Sequence, residues 1–218
     1  MSPQNRDGNT RRSRQVDTRP PQTEYYLVVT DTAQTEKNYL EGLKKSLPTD
    51  ARNKIQIKFR NAETPDLVET CLREAQRDPQ YRNSWIVFDR DEVAEFDALI
   101  LHARQQNIEV AWSNPCLEIW FHAYFGEMPY SATSQDCIHT FSATFRNETG
   151  QKYQKNDGNI YRKLAEKGDE DQAIHLAETK YRSFRYNNIE SPSLMSPGTT
   201  IHLLVQKLKI SAGMVQDS

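Results

Sequence analysis

The chain has 218 residues, a formal net charge of -2 and a pI near 6.2, with 36% of its residues apolar. That length builds one sizeable core with room for a minor lobe, and the near-neutral charge leaves no global basic footprint, so contact with nucleic acid requires local basic patches or a partner. Cys71, Cys116 and Cys137 lack metal-site spacing and are too few for a disulfide framework, which fits a reducing cytoplasmic setting; no apolar run suits a membrane span, and the polar start through Pro21 is unlike a signal peptide.

Residues 1–22, rich in Asn, Arg, Gln, Ser, Thr and Pro, read as a mobile tail whose Arg11, Arg12 and Arg14 either touch nucleic acid or keep the chain in solution. Tyr25-Tyr26-Leu27-Val28-Val29 predicts a first buried strand that ends at Thr30-Asp31. A helix follows from Thr35, with Tyr39, Leu40, Leu43 and Leu47 on one face and Pro48 at its end. Ile55, Ile57 and Phe59 alternate with polar residues and predict a second strand, half exposed or near an edge. Leu67, Val68, Cys71, Leu72 and Ala75 mark a second amphipathic helix after a turn at Pro65-Asp66. The third strand is Trp85-Ile86-Val87-Phe88, which breaks into Asp89-Arg90-Asp91-Glu92. Val93, Phe96, Leu99, Ile100 and Ala103 form the next helical stripe, and Ile108 to Trp112 the fourth strand. This alternation predicts an α/β fold, a mostly parallel sheet flanked by helices.

Ser113 to Phe121 reads as the start of a further helix, with Asn114 as its cap and Pro115 in its first turn. Residues 126–158 read as an elaborated loop region, followed by helical stretches at Ile160, Leu164, Ile174, Ala177, Tyr181 and Phe184 around a break at Gly168. After a turn across Ser191 to Gly198, Leu203-Leu204-Val205 through Ile210 predict a terminal helix capped by Thr199 or Thr200. The expected organisation is therefore a tail over 1–22, a core over 23–125, a loop-rich and helical C-terminal appendage over 126–210 that completes the same domain, and a flexible tail over 211–218. With no glycine-rich phosphate loop or dinucleotide fingerprint, the chain itself is not expected to hydrolyse ATP or bind NAD.

Chemistry concentrates where strands end. Two carboxylates one residue apart, Asp89 and Asp91, suit Mg²⁺, although acids also flank strands simply to meet solvent or cap a helix. Asp31 falls at the same depth, at the carboxyl end of its strand, where binding loops of open α/β sheets gather. Glu36 opens the first helix, serving its dipole or standing beside the site. Glu118 and His122 share a helix face, either hydrogen-bonded to each other or with Glu118 orienting a group of the site. Cys116 is read as packing, and His139 as a polar loop or core residue. Lys152, Lys155, Arg162, Lys163, Lys167, Lys180, Arg182 and Arg185 offer phosphate contacts or a solvated face.

Several ordered motifs together resemble the RloB-like family, whose Toprim-like nuclease fold occurs in bacterial anti-phage, abortive-infection type modules beside an ABC-type ATPase. The resemblance rests on Leu27-Val28-Val29-Thr30-Asp31 with Thr35-Glu36-Lys37-Asn38-Tyr39, on Phe88-Asp89-Arg90-Asp91-Glu92 and on Asn114-Pro115-Cys116-Leu117-Glu118-Ile119-Trp120-Phe121. Tyr153-Gln154-Lys155 and the segment from Ser191 to Leu208 extend it, so it covers about residues 24 to 209. It implies Mg²⁺, or Mn²⁺, on Asp31, Asp89 and Asp91. It implies an endonuclease that cleaves nucleic acid, RNA and within it tRNA favoured over DNA, in which Glu36 or Glu118 orients water and Lys155 meets phosphate. It also implies an ABC-type ATPase subunit as partner, no membrane, and room for a homo-oligomer. Asp31 stands where Toprim enzymes carry glutamate, and Thr32 where glycine is common. That departure keeps a second expectation open, a catalytically weak interaction or signalling subunit, and a metal-dependent phosphatase or nucleotide-processing enzyme is a third.

Overall fold

Strand β1 (Glu24–Thr30) is the hub of the sheet, buried from Tyr26 onward because its apolar residues face helical layers on both sides. The computed structural model describes residues 24–31, 34–91 and 93–214; the tails expected over 1–22 and at the extreme C-terminus, with Thr32 and Glu92, lie outside or partly outside these residues. From β1 the chain enters α1 (Thr35–Ser46) and the short α2 (Thr49–Lys54), then β2 (Ile55–Asn61), which pairs parallel with β1 at the sheet edge. A 3₁₀ turn at Thr64–Asp66 leads to α3 (Leu67–Arg77) and β3 (Asn83–Asp89), parallel to the other side of β1. Next come α4 (Phe96–Gln105) and β4 (Glu109–Asn114), parallel to β3. The remaining helices are α5 (Glu118–Ala123), α6 (Ser134–Thr149), α7 (Ile160–Lys167) and α8 (Glu170–Tyr186). A 3₁₀ turn at Pro192–Leu194 then precedes β5 (Gly198–Thr199), antiparallel to β4, and α9 (Ile201–Ser211).

The sheet order is β2-β1-β3-β4-β5, a mostly parallel α/β arrangement with extra C-terminal helices, consistent with a Toprim-like fold. Strand alternation divides the core in two. Tyr26, Val28, Trp85, Val87 and Ala111 face a layer containing α1, α5, α6, α7 and α9, while Leu27, Val29, Ile86, Phe88, Val110 and Trp112 face α3 and α4. The helices after the neighbouring strands β1 and β3 thus leave toward opposite faces, which opens a crevice at the carboxyl ends of these two strands.

Two local expectations are corrected. Asn114 does not cap a helix: it is the last residue of β4, paired with Gly198, and its side-chain amide donates to the carbonyls of Pro192 and Ser193 at 3.1 Å. The Asn114–Pro115 peptide is cis, and the helix begins only at Glu118. Residues 134–149, expected as loop, form α6, whose Cys137, Phe141 and Phe145 supply a buried stripe. Its N-terminus is closed by Thr133, whose Oγ1 accepts from the Asp136 N–H at 3.1 Å and donates to Asp136 Oδ2 at 2.8 Å. At its other end Gly150, with φ of 71°, returns its N–H to the Arg146 carbonyl. Thr200 is the N-cap residue of α9 but makes no side-chain cap bond, its Oγ1 accepting from the Trp112 N–H and donating to the Val110 carbonyl; Thr199, one residue earlier, accepts the Ile201 N–H on its Oγ1 at 3.1 Å.

Candidate active site

Asp31 leaves β1 with its N–H donated to the Val87 carbonyl at 3.3 Å, so it stands beside the end of β3, where Asp89 is the last residue. Glu36 enters from the first turn of α1 and Glu118 from the first residue of α5. Glu36 and Glu118 are 2% and 1% exposed, a burial ordinary glutamates avoid; Asp31 and Asp89 are half-buried. These four carboxylates act on one another. Burial first, then Asp31 and Glu118, pushes Glu36 up to about 8. Burial, then Glu36, Asp31 and Glu118, holds Asp89 well above the usual carboxylate range, against a lowering hydrogen bond from the Leu117 backbone.

The surroundings hold these acids in place. Tyr153 donates to Glu118 Oε1 at 2.7 Å, and its ring packs edge-on against Phe141 at 4.8 Å between centroids. Two residues on, the Lys155 carbonyl accepts from Thr35 Oγ1 at 3.0 Å, tying this segment to the opening turn of α1. Burial pulls the exposed Lys155 ammonium down, but the charges of Glu118, Asp89 and Asp91 outweigh it and raise its pKa. Glu118 and His122, expected either to bond to each other or to leave Glu118 for orienting a group of the site, turn to different partners: His122 Nε2 lies 3.4 Å from Thr140 Oγ1, and burial drops its pKa to about 4.

Asp91 takes a different position from the other acids. It is exposed, with φ of 30°, a backbone region that residues bearing a Cβ seldom occupy, and its N–H is held by the Pro115 carbonyl at 3.0 Å. It borders a depression of about 570 Å³ together with Ser134, Gln135 and Lys155. Of the expected site residues, Asp31, Glu36, Asp89 and Glu118 therefore converge, while Asp91 and Lys155 stand at the mouth. Thr35 was not anticipated, and only the register of helix and loop reveals it. Among the described residues no three His, Cys, Asp or Glu side chains are placed to hold one metal ion together, so the grouping rests on mutual electrostatic effect rather than on ligand geometry. The donor chemistry still fits a hard divalent cation. All the acids offer oxygen, and Glu36 Oε2 is buried with no hydrogen-bond partner, which a proton or a cation would satisfy.

The family model for RloB-like protein matches residues 26–208. The chain belongs to the RloB-like family. That match takes in each of the four converging acids together with Asp91, Tyr153 and Lys155, and membership supports a nuclease-family role. No curated protein and no solved structure matches the chain. Among the described residues, no helix is long and apolar enough to cross a membrane.

Proposed function

We propose that this RloB-like chain is a divalent-metal-dependent endonuclease acting on nucleic acid. The observation that carries the reading is the convergence of Asp31, Glu36, Asp89 and Glu118 at the crevice between β1 and β3, with Glu36 and Asp89 both disposed to hold protons or meet a cation. Asp31, Asp89 and Asp91 would hold Mg²⁺ or Mn²⁺ by closing on the ion, since among the described residues no three acids already stand around one site. A bound ion of this kind supplies a water of lowered pKa and offsets charge developing on phosphate. Glu118, fixed by Tyr153, orients groups in the crevice, and Glu36 takes up or holds a proton at its carboxylate near neutral pH. Lys155 meets a phosphate oxygen at the mouth with its ammonium kept charged by the nearby acids.

RNA, with tRNA the favoured class, is the proposed substrate, and phage defence beside an ABC-type ATPase the proposed setting; both rest on what the family resemblance implies. A second reading, a catalytically weak subunit that signals through its partner, draws on the shorter acid at Asp31 and on the lack of a formed ligand triad among the described residues. The purified chain, incubated with mixed RNA and DNA in Mg²⁺ or Mn²⁺, with and without the ATPase, separates the two. Cleavage that disappears in Asp89→Asn and Glu36→Gln supports the nuclease. Absence of variant-sensitive cleavage under every combination leaves the signalling subunit.

A further inference from the structure

Helix α6 carries Gln135, Ile138, His139, Ser142 and Arg146 at intervals of three and four residues, so they form one stripe along its length. Two surface depressions share that stripe. The first, about 570 Å³, is bordered by Asp91, Ala132, Gln135, Ile138 and Lys155; the second, about 820 Å³, by His139, Ser142, Arg146, Asn147 and Lys152. From Gln135 to Arg146 the stripe runs roughly 17 Å at the helical rise. It begins beside the mouth of the carboxylate crevice and continues away from it.

Several other basic residues of the C-terminal half are engaged by acids, although Lys167, Lys180 and Lys207 are in no ion pair among the described residues. Lys163, Arg182, Arg162 and Arg185 are bound to Asp157 at 2.7 Å, Glu178 at 2.6 Å, Glu166 at 3.8 Å and Glu190 at 3.9 Å. Arg146, Lys152 and Lys155 are in no ion pair among the described residues, and all three border the depressions. On the helix itself Asp136 is engaged by Thr133 and Glu148 stands exposed two residues after Arg146, while Asp91 is the acid at the crevice end. A further exposed group stands at that end: Tyr130 is 74% exposed and lies two residues, at most about 7 Å of chain, before Ala132. An open aromatic face two residues along the chain from the depression that Lys155 borders suits unstacked bases on a phosphate backbone, whereas a duplex keeps its bases stacked inside.

We propose that this side of α6 is the path of a single-stranded stretch of polynucleotide on its way to the crevice, with phosphates against Lys155, Lys152 and Arg146 and a base stacked on Tyr130. The assignment rests on the nuclease reading and adds to it the strandedness of the substrate and the direction of its approach. Phosphate contacts of this kind are salt-dependent, and a stacked base is not, so the two components separate in solution.

The test is fluorescence anisotropy of the full chain in EDTA, which keeps binding apart from cleavage. The probes are a labelled single-stranded RNA of about 12 nucleotides, the DNA of the same sequence and the matching RNA duplex. Arg146→Glu/Lys152→Glu should weaken single-strand binding by about tenfold or more and flatten the slope of log affinity against log salt by about 1.4, two contacts' worth. Arg146→Gln/Lys152→Gln should give a smaller loss in the same direction with the thermal midpoint unchanged, which guards against a folding defect. Tyr130→Ala should weaken the single strand by about fivefold or more and leave the duplex unaffected. Binding within about twofold of wild type in both double variants overturns the path, as does a wild-type chain that binds no single strand or a Tyr130→Ala loss equal on strand and duplex. Charge reversal that releases a protein partner while strand affinity holds also overturns it. If Asp89-dependent cleavage persists beside unaltered binding in these variants, the path falls and the nuclease stands. The expected binding losses without any cleavage leave the path standing as a strand-binding surface and sink the hydrolysis.

Discussion

The phenol of Tyr153 donates to Glu118 Oε1 at 2.7 Å, and both side chains are buried. The bond spans the polar start of α5 and the loop after α6, so the orientation of one site acid depends on a segment packed on Phe141 and Phe145. Burial, and then the charge of Glu118, raises the Tyr153 pKa, so the phenol remains a donor throughout the ordinary pH range.

Tyr153→Phe removes that donor while keeping the ring. The Glu118 carboxylate then lacks its buried partner, at a cost of about 1–3 kcal/mol. Urea denaturation should show this loss at neutral pH, and metal-dependent cleavage should fall because Glu118 is no longer oriented. A variant as stable as wild type would remove the bond from the account of the site.

Glu36 predicts an alkaline loss of stability. Its carboxyl sits near 4.5 when unperturbed and is pushed up to about 8 in the fold, by burial first and then by Asp31 and Glu118. The folded chain holds the proton more tightly than the unfolded one. The contribution is therefore complete below about pH 4.5 and is lost as pH rises through about 8, by an amount on the order of a few kcal/mol. Glu36→Gln should flatten this limb and be the more stable protein at about pH 9, read by denaturation in EDTA.

His122 and His202 predict the opposite limb. Burial holds both down to about 4 from 6.5, so the unfolded chain takes up protons first as pH falls. Their stabilisation is present above about 6.5 and is lost as pH drops through about 4, on the order of 3 kcal/mol for each. His122→Phe keeps an aromatic ring next to Phe141 and should remove about half of that acid loss, leaving the Glu36 limb in place.

Asn114→Ala should loosen the segment from Ser191 to Pro197. Its amide holds the Pro192 and Ser193 carbonyls, while Ser193 donates its N–H and hydroxyl to Asp97 at 2.8 and 2.5 Å. Losing the Asn114 side costs about 1–3 kcal/mol. Hydrogen exchange should speed at the Ser193 amide before it changes at the amides of β1, and equal acceleration at both would show that Asn114 supports the whole sheet instead.

Legibility in the sequence followed how each element earns its stability. The first four strands and α1, α3 and α4 announce themselves because apolar residues alone decide their faces, and the edge position of β2 follows from its alternating Ile55, Ile57 and Phe59. Asp31 and Asp89 at strand ends were visible for the same reason. α6 was not, because Ser, Thr, Gln and Asn dilute its stripe; Thr133-x-x-Asp136 followed by Cys137, Phe141 and Phe145 was the signal available. The end of β4 was misread because its final pairing is with Gly198-Thr199, a two-residue strand with no apolar pattern of its own. The convergence of Glu36 and Glu118 on Asp89 lies beyond any local pattern, since the three residues are brought together by sheet order.

Behind the crevice, Tyr39 of α1 and Tyr124, just past α5, share a hydrogen bond at 2.7 Å; Tyr124 reaches Glu170 at 2.8 Å, and Glu170 grips Lys209. The helices that deliver Glu36 and Glu118 are thus latched together from the rear by residues of α8 and α9. A growing chain on the ribosome has β1, β3 and all four acids in hand long before Lys209 is made. The charge-bearing pocket accordingly takes its final shape late in synthesis, and a chain released short of α9 would carry every acid of the site without the latch that sets them.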